Sequence, residues 1–232
     1  MREIVFDTET TGLNPATGDR IVEIGCIEMV NRVETGRHFH AYFNPDRAMP
    51  TDAEMVHGLS TIFLSDKPRF AESVDELLEF LGDSPLVAHN AGFDFGFLNF
   101  ELEKCGRRPI CTSRMVDTLA IARTRHPGAK HSLDALCMRF GIDRTQRVKH
   151  GALLDAQLLA QVYVELTGGL QIGLGLVADT ATPMGVGAPG TVRICDPRPA
   201  RPHFALVEEL ERHRAFIAKL VNPLWARFAD AG

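Results

Sequence analysis

A chain of 232 residues is enough for one domain of ordinary size plus an extension, and it is short for two full catalytic domains. With 45% hydrophobic and 24% charged residues it has the composition of a globular protein, which excludes a disordered chain and a disulfide scaffold. A net charge of −5 excludes a protein that grips nucleic acid by a strongly basic surface, because such binding rests on Lys and Arg neutralising phosphates. No apolar run approaches the roughly 20 residues of a membrane span. Met1-Arg2-Glu3 runs directly into Ile4-Val5-Phe6 without a signal-peptide hydrophobic region, so a cytoplasmic location is expected. The cysteines at 26, 105, 111, 137 and 195 form no C-x-x-C pair; buried reduced thiols are expected, with neither zinc nor disulfides.

In chain order, Ile4 to Phe6 is a short apolar run, and Ile21 to Val30 is a longer one. A turn over Asn31 to Gly36 leads into His38 to Phe43, and the three runs predict consecutive antiparallel strands. Ser73 to Leu81 is amphipathic, with Val74, Leu77, Leu78 and Leu81 on one helical face. Leu86-Val87-Ala88 predicts a buried strand. Helices are expected over Phe93 to Cys105, over Ser132 to Phe140 with Ser132 as N-cap, and over Leu153 to Leu166, which Gly168-Gly169 ends. This alternation implies an α/β domain, a mixed sheet with helices packed on it, over residues 1–169. Residues 170–202 are rich in Gly and Pro without a sustained period and predict a flexible linker. Residues 203–232 become helical again over Phe204 to Val221, with Glu208, Glu209 and Glu211 early and Arg212, Arg214 and Lys219 late, as the helix dipole favours.

Four carboxylates stand out. Asp7 and Glu9 are two apart on the first strand, so they project from the face that Val5 uses. Taken alone, such a pair is no more than an acidic strand end. Asp94 lies beside the apolar stripe of its helix, three and four residues before Phe97 and Leu98. Asp155 shares its face with Leu158, Leu159, Val162 and Leu166, and no basic residue lies one helical turn away on that face. Burying an ionised carboxylate without compensation costs several kcal/mol or more, so a surface role is a poor account of Asp155. A pair of hard cations shared by the four acids is the simplest explanation. His150 precedes Asp155 by five residues in a polar loop; beside such a site an imidazole, which titrates close to neutrality, suits proton removal from water. His89, His57 and His131 are weaker candidates.

Phe6-Asp7-Thr8-Glu9-Thr10-Thr11-Gly12, His89-Asn90-Ala91-Gly92-Phe93-Asp94 and His150-Gly151-Ala152-Leu153-Leu154-Asp155-Ala156 occur in the order found in the DEDDh branch of the DnaQ-like 3′→5′ exonucleases, and the chain resembles that family. Val56-His57-Gly58, Ser132 to Cys137 and Leu166 to Gly169 are most similar to its proofreading branch, which serves bacterial replicative polymerases. The resemblance implies an RNase H-like fold, DNA 3′ ends as substrate, and two divalent cations, Mg²⁺ or Mn²⁺. It implies that Asp7, Glu9 and Asp155 hold one cation, that Asp7 also touches the second, that Asp94 supports the second, and that His150 is the general base. It further implies that Asp52, His57 and the chain around Thr8 to Leu13 hold the terminal nucleotide, alongside Asp7, Glu9 and Asp155. Asp52 departs from the pattern, where a different acid is found.

Gln171, Leu174 and Leu176 resemble a degenerate sliding-clamp-binding hexapeptide over 171–176 that lacks the preferred terminal Phe. The segment with Pro223-Leu224-Trp225 resembles the anchor to the catalytic (alpha) subunit of the polymerase, a replisome-associated placement. The same residues also fit two other readings: a free-standing exonuclease that trims RNA or short oligonucleotides, and a structural replisome adaptor with a vestigial site.

Overall fold

The computed structural model describes residues 1–147, 149–169 and 205–220. Strand β1 (Arg2–Thr10) alternates its side chains between two helical layers, and that alternation organises the domain. Ile4 and Phe6 face one layer, whereas Val5 faces the other. β1 pairs antiparallel with β2 (Ile21–Val30), and β2 with β3 (Val33–Tyr42). The expected turn is tighter than predicted. Asn31 and Arg32 both take positive φ, 52° and 66°, so the hairpin closes in two residues with Val30 opposite Val33. Gly36 therefore lies within β3 and not in the turn.

Helix α1 (Thr51–His57), α2 (Thr61–Leu64) and α3 (Phe70–Leu81) follow, then β4 (Leu86–Ala88), which returns parallel to β1. α4 (Gly92–Lys104) leads to β5 (Met115–Asp117), parallel to β4. α5 (Thr118–Arg125), α6 (Leu133–Phe140) and α7 (Ala152–Leu166) complete the described part of the domain, and the sheet order is β3-β2-β1-β4-β5. Ser132 caps α6 as predicted, its hydroxyl accepting from the amide of Ala135 at 3.3 Å. Gly168 and Gly169 end α7 with positive φ, as their position after the helix requires. α1, α2, β5 and α5 were not predicted from the sequence.

One core joins the sheet to α3 and α4, with Phe6, Phe43, Phe70, Leu77 and Phe97 fully buried. The other joins it to α7 through Val5, Ile27, Met29, Val87, Leu159 and Tyr163. Arg20 clamps the start of β2 to α4 by a two-pronged ion pair with the buried Glu101, at 2.6 and 2.7 Å. Cys26 and Cys137 are buried as expected, but Cys105 is intermediate and Cys111 exposed. No described helix is long and apolar enough to cross a membrane. α8 (Val207–Ile217) is a separate element with Glu209 closing on the Leu206 amide at 2.9 Å. The linker, the hexapeptide with Gln171, Leu174 and Leu176, Cys195, and Pro223-Leu224-Trp225 lie outside the described residues.

Candidate active site

β1 runs further than its apolar core, so Asp7 and Glu9 sit on ordered strand and not on a fraying end. The pairing with β2 slips between Glu9 and Thr10, a bulge that re-aims the strand as it leaves the sheet. α7 meets the sheet at Gly25, directly across from Asp7. A Cβ on Gly25 would lie 2.3 Å from the amide nitrogen of Leu153, so only glycine lets the first turn of α7 come this close. Asp155 is thereby delivered one turn into a helix whose start lies on the sheet beside Asp7.

Asp94 arrives from the opposite layer on the first turn of α4. The hydroxyl of Thr8, on the other side of β1, donates to its Oδ1 at 2.7 Å. The turn before α4 is fixed by Asp117, whose Oδ1 accepts from the amides of Asn90 at 3.0 Å, Ala91 at 3.4 Å and Leu119 at 2.9 Å, with Asn90 at φ 61°. Nothing in the sequence pointed to Asp117.

A cleft of about 270 Å³ brings together Asp7, Glu9, Asp94, Asp155 and His150, together with His89 and Arg147. Glu9, Asp94 and Asp155 are buried. Among the described residues, Glu9, Asp155 and His150 offer ligand atoms all within 4.8 Å of one another, a grouping in which the imidazole accompanies two of the four acids. Burial, with the charges of Asp155, Glu23 and Asp94, pushes Glu9 up to about 8. Burial likewise raises Asp94 to about 7 despite the hydrogen bond from Thr8, and it raises Asp7, with Asp94, Glu9 and Asp155 adding repulsion. Carboxylates held this way resist ionising together unless a cation joins them. The donor set, acid oxygens with one imidazole, suits a hard divalent ion.

Asp155 behaves differently, because the sequence concealed a partner. Burial would raise it, but hydrogen bonds from Arg147 and His150, with the charge of Arg147, outweigh burial and lower it. Arg147 lies in the loop before α7, not on the helix, and forks onto Asp155 at 2.6 Å through both Nε and Nη2. The absence of a basic neighbour on the helical face was correct for the helix and wrong for the site.

Asp52 and His57, both on α1, border an adjoining cavity of about 450 Å³ that shares Thr8, Glu9 and Phe93 with the cleft and adds Leu13 and Val56. His57 is buried, and its Nδ1 accepts the Leu59 amide at 3.0 Å, which leaves the proton on Nε2. That Nε2 is buried without a hydrogen-bond partner among the described residues. His89 is occupied by Thr118 Oγ1 at 2.9 Å and His131 by the carbonyl of His126 at 2.8 Å, which gives both the structural roles open to them.

The sequence profile of the Exonuclease family matches residues 4–163. DNA polymerase III subunit epsilon of Rickettsia felis is 49% identical over 225 residues, covering 96% of this chain and 98% of that protein. The protein of the same name from Escherichia coli is 44% identical over 222 residues, 92% of this chain and 91% of its own. Among solved structures, Exonuclease X in complex with 5′ overhanging duplex DNA superimposes with a TM-score of 0.56 at 25% identity, over 71% of this chain and 90% of its own. The nuclease domain of 3′hExo, a DEDDh family member bound to rAMP, superimposes with a TM-score of 0.62 over 72% of this chain and 91% of its own; at 16% identity that likeness is one of fold. The chain therefore belongs to the Exonuclease family, with its RNase H-like fold, and within it to the DNA polymerase III epsilon subunits.

Proposed function

We propose that the chain is a 3′→5′ exodeoxyribonuclease that proofreads for a replicative DNA polymerase, with residues 1–169 as its catalytic domain. The observation that carries this reading is the convergence of four carboxylates from three separate elements, with His150 from the loop before α7, in one cleft beside a second cavity. Asp7, Glu9, Asp94 and Asp155 would hold two divalent cations, Mg²⁺ or Mn²⁺. When bound, the cations would neutralise the acids, lower the pKa of the attacking water and stabilise charge on the phosphate and the leaving 3′ oxygen.

His150, half exposed at the mouth of the cleft, takes the proton of the attacking water. Thr8 fixes the Asp94 carboxylate, so the far wall of the site is set before substrate enters. His57 offers its otherwise unsatisfied Nε2–H to an oxygen of the terminal nucleotide, and Asp52 offers an acceptor for the hydroxyl of its sugar. Leu13, Val56 and Phe93 give the base an apolar wall. These contacts are independent of base identity. Selectivity for a mispaired end then follows from the lower cost of unpairing it.

A net charge of −5 leaves the chain a weak hold on DNA, which tethering to a polymerase would offset by raising the local concentration of 3′ ends. Residues 203–232 supply that tether to the alpha subunit, and 171–176 the contact to the sliding clamp. The exposed Leu210 and Phe216 of α8 favour this over a free-standing nuclease, because a short amphipathic helix is marginal in water without a partner. The test is digestion of 3′-labelled primers with Mg²⁺, matched or mismatched, with and without chelator. Mononucleotide release that is faster from the mismatched end and abolished by chelator is expected. Equal rates at low temperature on both ends would overturn the proofreading assignment.

A further inference from the structure

The mechanism above gives no task to Arg147, although its side chain is only 8% exposed at the centre of the cleft. Its guanidinium donates to Asp155 Oδ1 and Oδ2 at 2.6 Å each and to Asp134 Oδ1 at 2.9 Å, and it stands 2.9 Å from His150 Nδ1, which itself lies 3.1 Å from Asp155 Oδ2. One planar cation thus engages both oxygens of a buried carboxylate assigned to the metals.

We propose that Arg147 is the resident cation of the metal-free site: it stands on Asp155 in place of a divalent ion, and withdraws to Asp134 when the metals bind. The proposal rests on the metal-site reading given above. An arginine is suited to this because it cannot neutralise itself by losing a proton, and because its fork matches a carboxylate. A divalent ion on Asp155 would share that carboxylate with the guanidinium, and the two like charges would oppose each other there. Asp134 is a ready second anchor. It is half exposed, sits at the N-terminal end of α6, and already has Arg144 at 2.8 Å to help keep its charge. The fork is also the compensation that Asp155 needs in a buried place before any metal arrives.

The test is Mn²⁺ binding to the full chain, followed by calorimetry, together with thermal unfolding in chelator. Wild-type protein is compared with Arg147→Met and Arg147→Lys. Arg147→Met should bind Mn²⁺ roughly tenfold more tightly, within the usual range for coupled binding events, and should unfold at lower temperature in chelator. Arg147→Lys, which keeps charge without the fork, should fall between. Unchanged or weaker Mn²⁺ binding by Arg147→Met overturns the proposal while leaving the metal site standing. No Mn²⁺ binding by wild type overturns the metal-site reading itself, and the proposal with it. Should Arg147→Met fail to fold, the ¹⁵Nε resonance of Arg147 in wild-type protein decides: it should shift in step with Mg²⁺ loading, and a resonance that does not move overturns the proposal.

Discussion

Replacing Gly25 by Ala tests how the fold builds the site. The added carbon would stand 2.3 Å from Leu153 N, 2.4 Å from Leu153 Cα and 2.5 Å from the Ala152 carbonyl carbon, where ordinary contact begins at 3.4 Å. All three atoms are backbone, so no rotamer change relieves the overlap, and the first turn of α7 must retreat by about 1 Å. Over-packing of this kind costs about 1–3 kcal/mol, and more when backbone must move. In a domain of this size that corresponds to roughly 2–4 °C in Tm per kcal/mol. The retreat displaces Asp155 from Glu9 and the sheet, and a positional error near 1 Å in a catalytic group costs about 100-fold in rate. The assay is thermal unfolding in chelator, paired with single-turnover hydrolysis of a single-stranded oligonucleotide. Gly96→Ala is the control, since Gly96 is exposed on α4 and a Cβ there meets nothing within 4 Å. Wild-type melting and turnover in Gly25→Ala would refute the claim that close approach of α7 at this position assembles the site.

Asp7→Asn should abolish exonuclease activity while raising the melting temperature in chelator, because it removes a charge that burial and three neighbouring carboxylates oppose; a melting point below wild type would contradict the electrostatic account. Metal-free stability should fall as pH rises. Glu9 and Asp94 have folded pKa values of about 8 and about 7 against ordinary values of 4.5 and 3.8, so the folded state holds protons that the unfolded state has released. Their contribution is complete below the ordinary values and is lost as pH climbs to about 8. Thermal unfolding in chelator from pH 5 to 8 should show this decline, and saturating Mg²⁺ should flatten it; a melting point that rises over that range would contradict the assignment. His150→Ala should lower turnover by about 10²–10⁴-fold at neutral pH. The deficit should shrink toward pH 9.5 as hydroxide replaces the base, and a constant deficit would point to a positioning role.

The sequence was most legible where burial is periodic. α7 carries an apolar stripe along its length and β4 is three apolar residues between turn signals, and both appear where expected. The acids were legible because a carboxylate on a buried helical face demands a reason, as Asp155 does. α1 and α2 escaped notice because they are short and bury few side chains, and β5 because its three residues are only half buried. The two-residue turn at Asn31-Arg32 was hidden by Gly36, a stronger turn former that instead lies in β3. Arg147 and Asp117 were invisible for a different reason. Their partners lie across loop-to-helix and strand-to-turn junctions, and no period of 2 or 3.6 connects such positions. The face of α7 predicted which acid would need compensation, but only the folded loop reveals the cation that provides it.

We propose that Asp7, Glu9, Asp94 and Asp155 gather divalent cations at the scissile phosphate with His150 beside them. Anomalous diffraction from crystals grown with Mn²⁺ and a nucleoside 5′-monophosphate locates those cations. Two Mn²⁺ peaks are expected in the cleft, with Asp7, Glu9 and Asp155 oxygens close to the roughly 2.0–2.1 Å at which a small ion such as Mg²⁺ is held, and the sugar and base against His57, Leu13 and Phe93. Mn²⁺ bound elsewhere, with these four carboxylates bare and the nucleotide outside the cleft, would contradict it.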